Sequence, residues 1–190
     1  MPKITTADIK NGVTIIQDGN IYQIIEFLHV KPGKGGAFVR TKMKGVVNGK
    51  TLDKTYRSGE SLETVRVERH QYQFLYNDGE MLHFMHQESY EQIMISVKNM
   101  DKTEFMKEGE IVTVVINADD NTILFAELPD HVNLTVTQTD PGVRGDTANN
   151  AVKPATLESG ATINVPLFIN EGDVLRVDTR SGSYIERVKQ

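Results

Sequence analysis

Apolar residues in this 190-residue chain recur at alternate positions far more often than at helical spacing. Successive side chains of an extended strand point to opposite faces, so a period of two marks a strand with one buried face. The pattern runs through 13–17, 21–30 and 37–47, and 63–67 is expected to close this first group. Tyr72, Phe74 and Tyr76 alternate with Gln71 and Gln73 up to Asp78-Gly79, a pair suited to a tight hairpin turn. Residues 81–86 return from that turn and 92–97 follow, while 111–117 and 122–128 flank the turn Asp119-Asp120-Asn121. Val132, Leu134 and Val136 alternate in the last third, as do Ile163, Val165, Leu167 and Ile169. Residues 174–179 and 184–189 flank Arg180-Ser181-Gly182-Ser183. Pro166 lacks a ladder donor and predicts an edge strand or a bulge. A single helix is expected, with Asp101 as N-cap, Glu104 completing a capping box, and Gly109 as the stop.

Short strands must close on themselves or stack to bury their apolar faces. The expected fold is therefore all-β, with three small barrel modules in series at 1–65, 66–128 and 129–190. The middle set has five strands, with the helix between the third and fourth, which is the order of an OB-type barrel. Pro129-Asp130 reads as a linker, and the last set forms a second small barrel without a helix. Modules of about 60 residues lie near the lower limit for an independent core.

The chain has no cysteine, so disulfides and thiolate metal sites are excluded. Met1-Pro2-Lys3-Ile4-Thr5 lacks the apolar core of a signal peptide, and no apolar run reaches membrane-spanning length. A cytoplasmic location is expected. The net charge of -5 conceals a split: residues 1–65 hold ten Lys/Arg against six Asp/Glu, net +4, and residues 66–190 hold eleven against twenty, net −9. Opposite blocks along one chain point to an N-terminal part that meets a polyanion.

Within that part, Lys34 stands in the stretch Lys31-Pro32-Gly33-Lys34-Gly35-Gly36, between two alternating runs. Glycines on both sides remove neighbouring side chains and permit positive φ, so the cationic amine is expected alone at a loop tip. Arg40, Lys42 and Lys44 follow at a spacing of two and share one strand face, with Val39, Thr41 and Met43 on the other. These cations read either as a solvated face or, beside the loop lysine, as phosphate contacts. Gly33-Lys34-Gly35 is no P-loop, for it lacks the first glycine, the Ser/Thr after the lysine and a following helix. His83 and His86 fall on opposite faces of a strand, so no metal site is expected. No nucleophile elbow or acid–base pair of carboxylates is present, and no enzymatic activity is expected. The row Tyr72, Phe74 and Tyr76 reads as barrel core or module interface, with base stacking as the alternative.

The residues also carry a resemblance. Pro32-Gly33-Lys34-Gly35 with Ala37-Phe38, Tyr76-Asn77-Asp78-Gly79, Phe84-Met85 and Tyr90-Glu91-Gln92 occur in order. They are followed by Thr139-Asp140-Pro141-Gly142, Gly145-Asp146-Thr147, Lys153-Pro154-Ala155-Thr156-Leu157 and Gly160. Val165-Pro166-Leu167-Phe168 and Val177-Asp178-Thr179-Arg180-Ser181-Gly182 complete the series. Together they resemble the bacterial elongation factor P family from end to end. The resemblance implies an N-terminal SH3-like (KOW-type) barrel followed by two OB-fold barrels, in an L-shaped, tRNA-like outline. It implies binding to the 70S ribosome between the P and E sites and relief of stalling at consecutive prolines. Lys34 then matches the tip position that approaches the P-site tRNA and that many members modify covalently through a dedicated enzyme. Lys31, Pro32, Gly33, Gly35 and Gly36 would hold the loop, and Arg40, Lys42 and Lys44 would contact RNA. Gly145, Asp146 and Thr147 match a third-module loop directed at the E-site codon. The resemblance implies a monomer with no membrane partner, no cofactor and no metal. The alternatives are a paralogue serving a narrower range of stalling motifs, or an OB-type binder of single-stranded nucleic acid.

Overall fold

The computed structural model describes residues 2–47, 49–141 and 151–189, and among them the chain is built of strands and short 3-10 turns. The N-terminal strands are β1 (Lys3–Thr5), β2 (Thr14–Gln17), β3 (Asn20–Val30), β4 (Phe38–Gly45), β5 (Thr51–Arg57) and β6 (Ser61–Glu63). Strands β2 to β5 form an antiparallel sheet in sequence order, and β1 pairs with β6. The next set is β7 (Val67–Asn77), β8 (Met81–His86), β9 (Gln92–Ser96), β10 (Ile111–Asn117) and β11 (Ile123–Glu127), in the order β11-β10-β7-β8-β9. The last is β12 (His131–Thr139), β13 (Val152–Leu157), β14 (Thr162–Pro166), β15 (Val174–Asp178) and β16 (Ser183–Arg187), in the order β14-β13-β12-β15-β16. The all-β, barrel-like architecture matches the expectation; Pro166 lies on an edge strand as expected, but it ends that strand, and Leu167 and Ile169 fall beyond it.

The chain divides into two compact units, Met1–His70 with Val114–Phe125, and Gln71–Thr113 with Ala126–Gln190. In the first, Ile9, Ile15, Ile24, Val39, Met43, Tyr56 and Leu62 form one core. Val115, Leu124 and Phe125 form another, against Ile21, Val46, Val65 and Val67. Burial, with Glu60 and Asp18 adding to it, pushes the Tyr56 phenol up to about 12. In the second unit, Val132, Leu134, Val136, Leu157, Val165 and Leu175 belong to a core that also takes in Phe105. These are the inward members of the alternating runs, so the period of two did identify the buried faces.

Three expectations need correction. Residues 101–109 hold no α-helix: 3-10 turns occupy Val97–Asn99 and Thr103–Phe105. The residue that opens the second turn is Lys102, in the left-handed region at φ 63, and no side chain caps it. A segment this short cannot offset helix nucleation by itself, and the burial of Phe105 among the β12 to β15 side chains sets its path instead. Gly109, expected as a helix stop, donates its N–H to the Phe74 carbonyl at 2.9 Å and so serves the sheet. The run 63–67 does not close the first group as one strand, since Glu63 pairs with Lys3 and Val67 opens β7. Two strands escape the alternation rule altogether. In β5 the apolar Leu52 and Tyr56 are separated by Asp53, Lys54 and Thr55. In β13 the inward position is held by Lys153, 6% exposed, whose Nζ donates to the Asp140 carbonyl.

Candidate functional site

The candidate site begins where β3 runs past its core. Ile24 is fully buried, a bulge lies between Ile24 and Glu26, and Glu26, Phe27, Leu28 and His29 are exposed. A bulge turns a strand and alters its twist. Pairing with β4 nevertheless continues to Val30↔Phe38, so the hairpin holds its shape up to residues 31–37. There Lys31, Pro32, Gly33, Lys34, Gly35 and Gly36 are all exposed. Gly35 has φ +103, a conformation in which a side chain is strained. A Cβ built on Gly33, Gly35 or Gly36 would meet nothing within 4 Å, so these positions border open space. Lys34 makes no hydrogen bond or ion pair among the described residues.

The strand leaving this loop carries the three other cations as the alternation predicts. Arg40 is exposed and Lys42 and Lys44 are half-buried, while Val39, Thr41 and Met43 are buried. Opposite them on β3 lie Leu28, Glu26 and Gln23, and on β5 Thr55, Asp53 and Thr51. Glu26, Leu28, Arg40, Lys42, Asp53 and Thr55 line a groove of about 360 Å³. The Arg40 guanidinium lies 5.5 Å from the centre of the Phe38 ring, a contact that holds its long stem toward the loop. Lys42 reaches Glu26 at 3.7 Å, with the two side chains 44% and 71% exposed. Such a pair contributes little to stability and leaves Lys42 able to exchange its partner for a phosphate. Arg40 has no carboxylate partner among the described residues. Glu26 and Asp53 carry no motif and are found by register alone, which requires β5 to be recognised first. Gly145, Asp146 and Thr147 lie outside the described residues.

In the middle sheet, Tyr72 and Phe74 are 6% and 5% exposed and belong to the core, which removes them as base-stacking groups. Tyr76 is half exposed, and its ring stacks on His83 with centroids 4.2 Å apart. His83 Nε2 lies 2.9 Å from Asp78 Oδ2, so this histidine serves the turn.

Three family models match this chain in sequence. The elongation factor P KOW-like domain matches residues 5–62, the elongation factor P OB domain residues 67–124, and the elongation factor P C-terminal domain residues 132–187. The chain belongs to the elongation factor P family. Its relatives include the elongation factor P of Azobacteroides pseudotrichonymphae, 55% identical over 97% of this chain and 99% of that protein. The elongation factor P of Christiangramia forsetii is 54% identical over 98% of this chain and 99% of its own length. The elongation factor P 1 of Porphyromonas gingivalis is similar to the same degree, 54% over 98% and 99%. The elongation factor P KOW-like match contains both the Lys34 loop and the Arg40 face. This is a translation factor, and no helix among the described residues is long and apolar enough to cross a membrane.

Proposed function

We propose that this protein binds the 70S ribosome between the P and E sites and promotes peptide-bond formation at consecutive prolines. Proline is a constrained, slow substrate because its ring fixes φ, so the help required is positional. The Lys34 loop reaches toward the acceptor end of the P-site tRNA, and Arg40, Lys42 and Lys44 follow the phosphate backbone behind it. Peptidyl transfer stays with the ribosome, and the factor lowers the entropic cost of orienting the reactants. In this reading residues 1–65 form the tRNA-directed module, and 66–128 and 129–190 form two acidic OB modules. The Gly145-Asp146-Thr147 loop is directed at the E-site codon. Lys34 is the substrate of a modifying enzyme that lengthens the side chain, and the protein works in the cytoplasm as a monomer.

The observation that supports this reading is the state of Lys34. It is a solvent-exposed cation with no partner among the described residues, on a loop where a Cβ on any of three glycines would meet nothing within 4 Å. A side chain with no role in holding the fold is available for a role outside it. The rival reading, a free-standing binder of single-stranded nucleic acid, is disfavoured by the net −9 of residues 66–190 and by the burial of Tyr72 and Phe74.

The test is peptide yield in a reconstituted translation system stalled on a Pro-Pro-Pro template. Protein purified from its native host restores the yield, and Lys34→Ala returns it to the level without factor. The same variant keeps its stability within about 0.5 kcal/mol, as exposed substitutions do. Full rescue by Lys34→Ala would remove the role assigned to the residue.

A further inference from the structure

A second cleft, of about 480 Å³, lies wholly within the unit of Gln71–Thr113 and Ala126–Gln190. Its volume is within the usual range of ligand clefts, about 300–1,000 Å³. Tyr76, Met106, Lys107, Glu108, Glu158 and Ser159 are among its walls. Tyr76 lines the cleft while His83, stacked on one face of its ring, does not. Tyr76 is about half exposed, so part of its ring is available to a guest.

The cleft's cation is already committed. Lys107 Nζ donates to the Asn133 carbonyl at 2.8 Å and to Glu158 Oε1 at 3.2 Å. The same Oε1 accepts the Thr135 N–H at 2.9 Å, and the Thr135 side chain bonds this carboxylate as well. Glu108 is exposed and has no partner among the described residues. Burial raises Glu110 above the usual carboxylate range, Lys107 opposes the rise, and Glu158 adds to it. Ser159 keeps a buried Oγ with no hydrogen-bond partner among the described residues. A buried polar atom left unpaired is a cost that an incoming donor can offset. The balance is one satisfied cation, two carboxylates of which Glu108 is unpartnered among the described residues, an exposed part of an aromatic ring and an unpaired hydroxyl.

We propose that this cleft seats an arginine side chain from a segment of a basic protein. The guanidinium lies against the exposed part of the Tyr76 ring and donates to the Glu108 carboxylate, with Glu158 adding its negative charge beside it. Arginine suits these walls better than lysine, because a planar, weakly hydrated guanidinium stacks on a ring and donates sideways at the same time. An RNA strand does not suit them, since its phosphates would meet Glu108 and Glu158 in a region of net charge −9. This inference is independent of the role given to Lys34, because it concerns a different surface with a different chemistry.

The experiment is an NMR titration of the full-length, isotopically labelled protein with the blocked peptide Gly-Arg-Gly-Arg-Gly. The same peptide with lysines and a short single-stranded RNA serve as comparisons. Saturable amide shifts are expected around Tyr76, Lys107, Glu108 and Ser159, with the lysine peptide binding about tenfold more weakly. Glu108→Gln should weaken the arginine peptide about five- to tenfold without changing the melting temperature, and Tyr76→Leu should weaken it to a similar degree. Equal binding of the two peptides, full binding by both variants, absence of saturable shifts, or the same shifts produced by the RNA would each overturn the proposal. The comparison of the two peptides on the unaltered protein stands even where a variant folds poorly.

Discussion

Asp78 holds its hairpin from both carboxylate oxygens. Oδ1 accepts the N–H groups of Glu80 and Met81 at 3.0 and 2.8 Å, and Oδ2 faces His83 Nε2 at 2.9 Å. The His83 hydrogen bond, followed by the two backbone donors, brings the carboxyl down to about 2. A carboxylate depressed by folding adds stability above its unfolded pKa of about 3.9, and that contribution is lost as pH falls toward the folded value. Asp78→Asn should therefore lower the melting temperature most at neutral pH. Thermal melts between pH 7 and pH 2 should show the gap to the unaltered protein narrowing below about pH 4 and closing near 2. A gap independent of pH would mean that the charge of Asp78 is not what stabilises the turn. At this scale the sequence is a partial guide. Asp78-Gly79 announces a turn because Asx side chains bond the backbone just ahead and glycine takes positive φ. Nothing in the spacing announces that His83 completes it, since that contact depends on the bulge between Phe74 and Tyr76 in the pairing of β7 with β8.

Among the elements, the segment between β9 and β10 departs most from what its residues suggest. Local signals for a cap and a stop are present at Asp101, Glu104 and Gly109, but propensity is a weak prior against tertiary burial. Phe105 enters the core beneath β12 to β16, and its ring edge sits where a Cβ on Gly182 would come within 3.1 Å of it. Gly182 also has φ +68. Gly182→Ala should then cost about 1–2 kcal/mol from backbone strain, with the clash added to it. Phe105→Leu shortens the ring and should relieve the clash but not the strain. The double variant, compared by chemical denaturation with each single one, should be less destabilised than the sum. Strict additivity would separate the two residues. The strands β5 and β13 were illegible for a related reason. Asp53 and Lys54 in one, Lys153 and Pro154 in the other, interrupt the apolar alternation, and their places are fixed by neighbours on either side. The strand carrying Arg40, Lys42 and Lys44 was legible because its inner face is apolar but for Thr41, whose hydroxyl donates to the Lys54 carbonyl at 2.9 Å.

Over the whole molecule, the charge falls in two blocks, net +4 in residues 1–65 and net −9 in 66–190. The N-terminal excess of cations is concentrated on one strand face and a loop, where counterions would be released on meeting a phosphate backbone. Arg40→Glu with Lys42→Glu should weaken ribosome binding and flatten its salt dependence. The slope of log affinity against log salt should fall by about 1.4–1.8, from roughly 0.7–0.9 for each lost contact. An unchanged slope would identify these side chains as an ordinary solvated face. The acidic remainder of the chain makes the opposite demand and favours cationic partners. The glycines around Lys34 have a different implication. Because a Cβ on any of them would meet open space and the lysine bonds to nothing among the described residues, the chemistry at the tip and the integrity of the scaffold can change separately. A lineage could exchange the residue at the tip, or a group added to it, without compensating substitutions in the core. Such a protein resembles a tool holder more than a tool: its working end is interchangeable, and its body records little of which one is fitted.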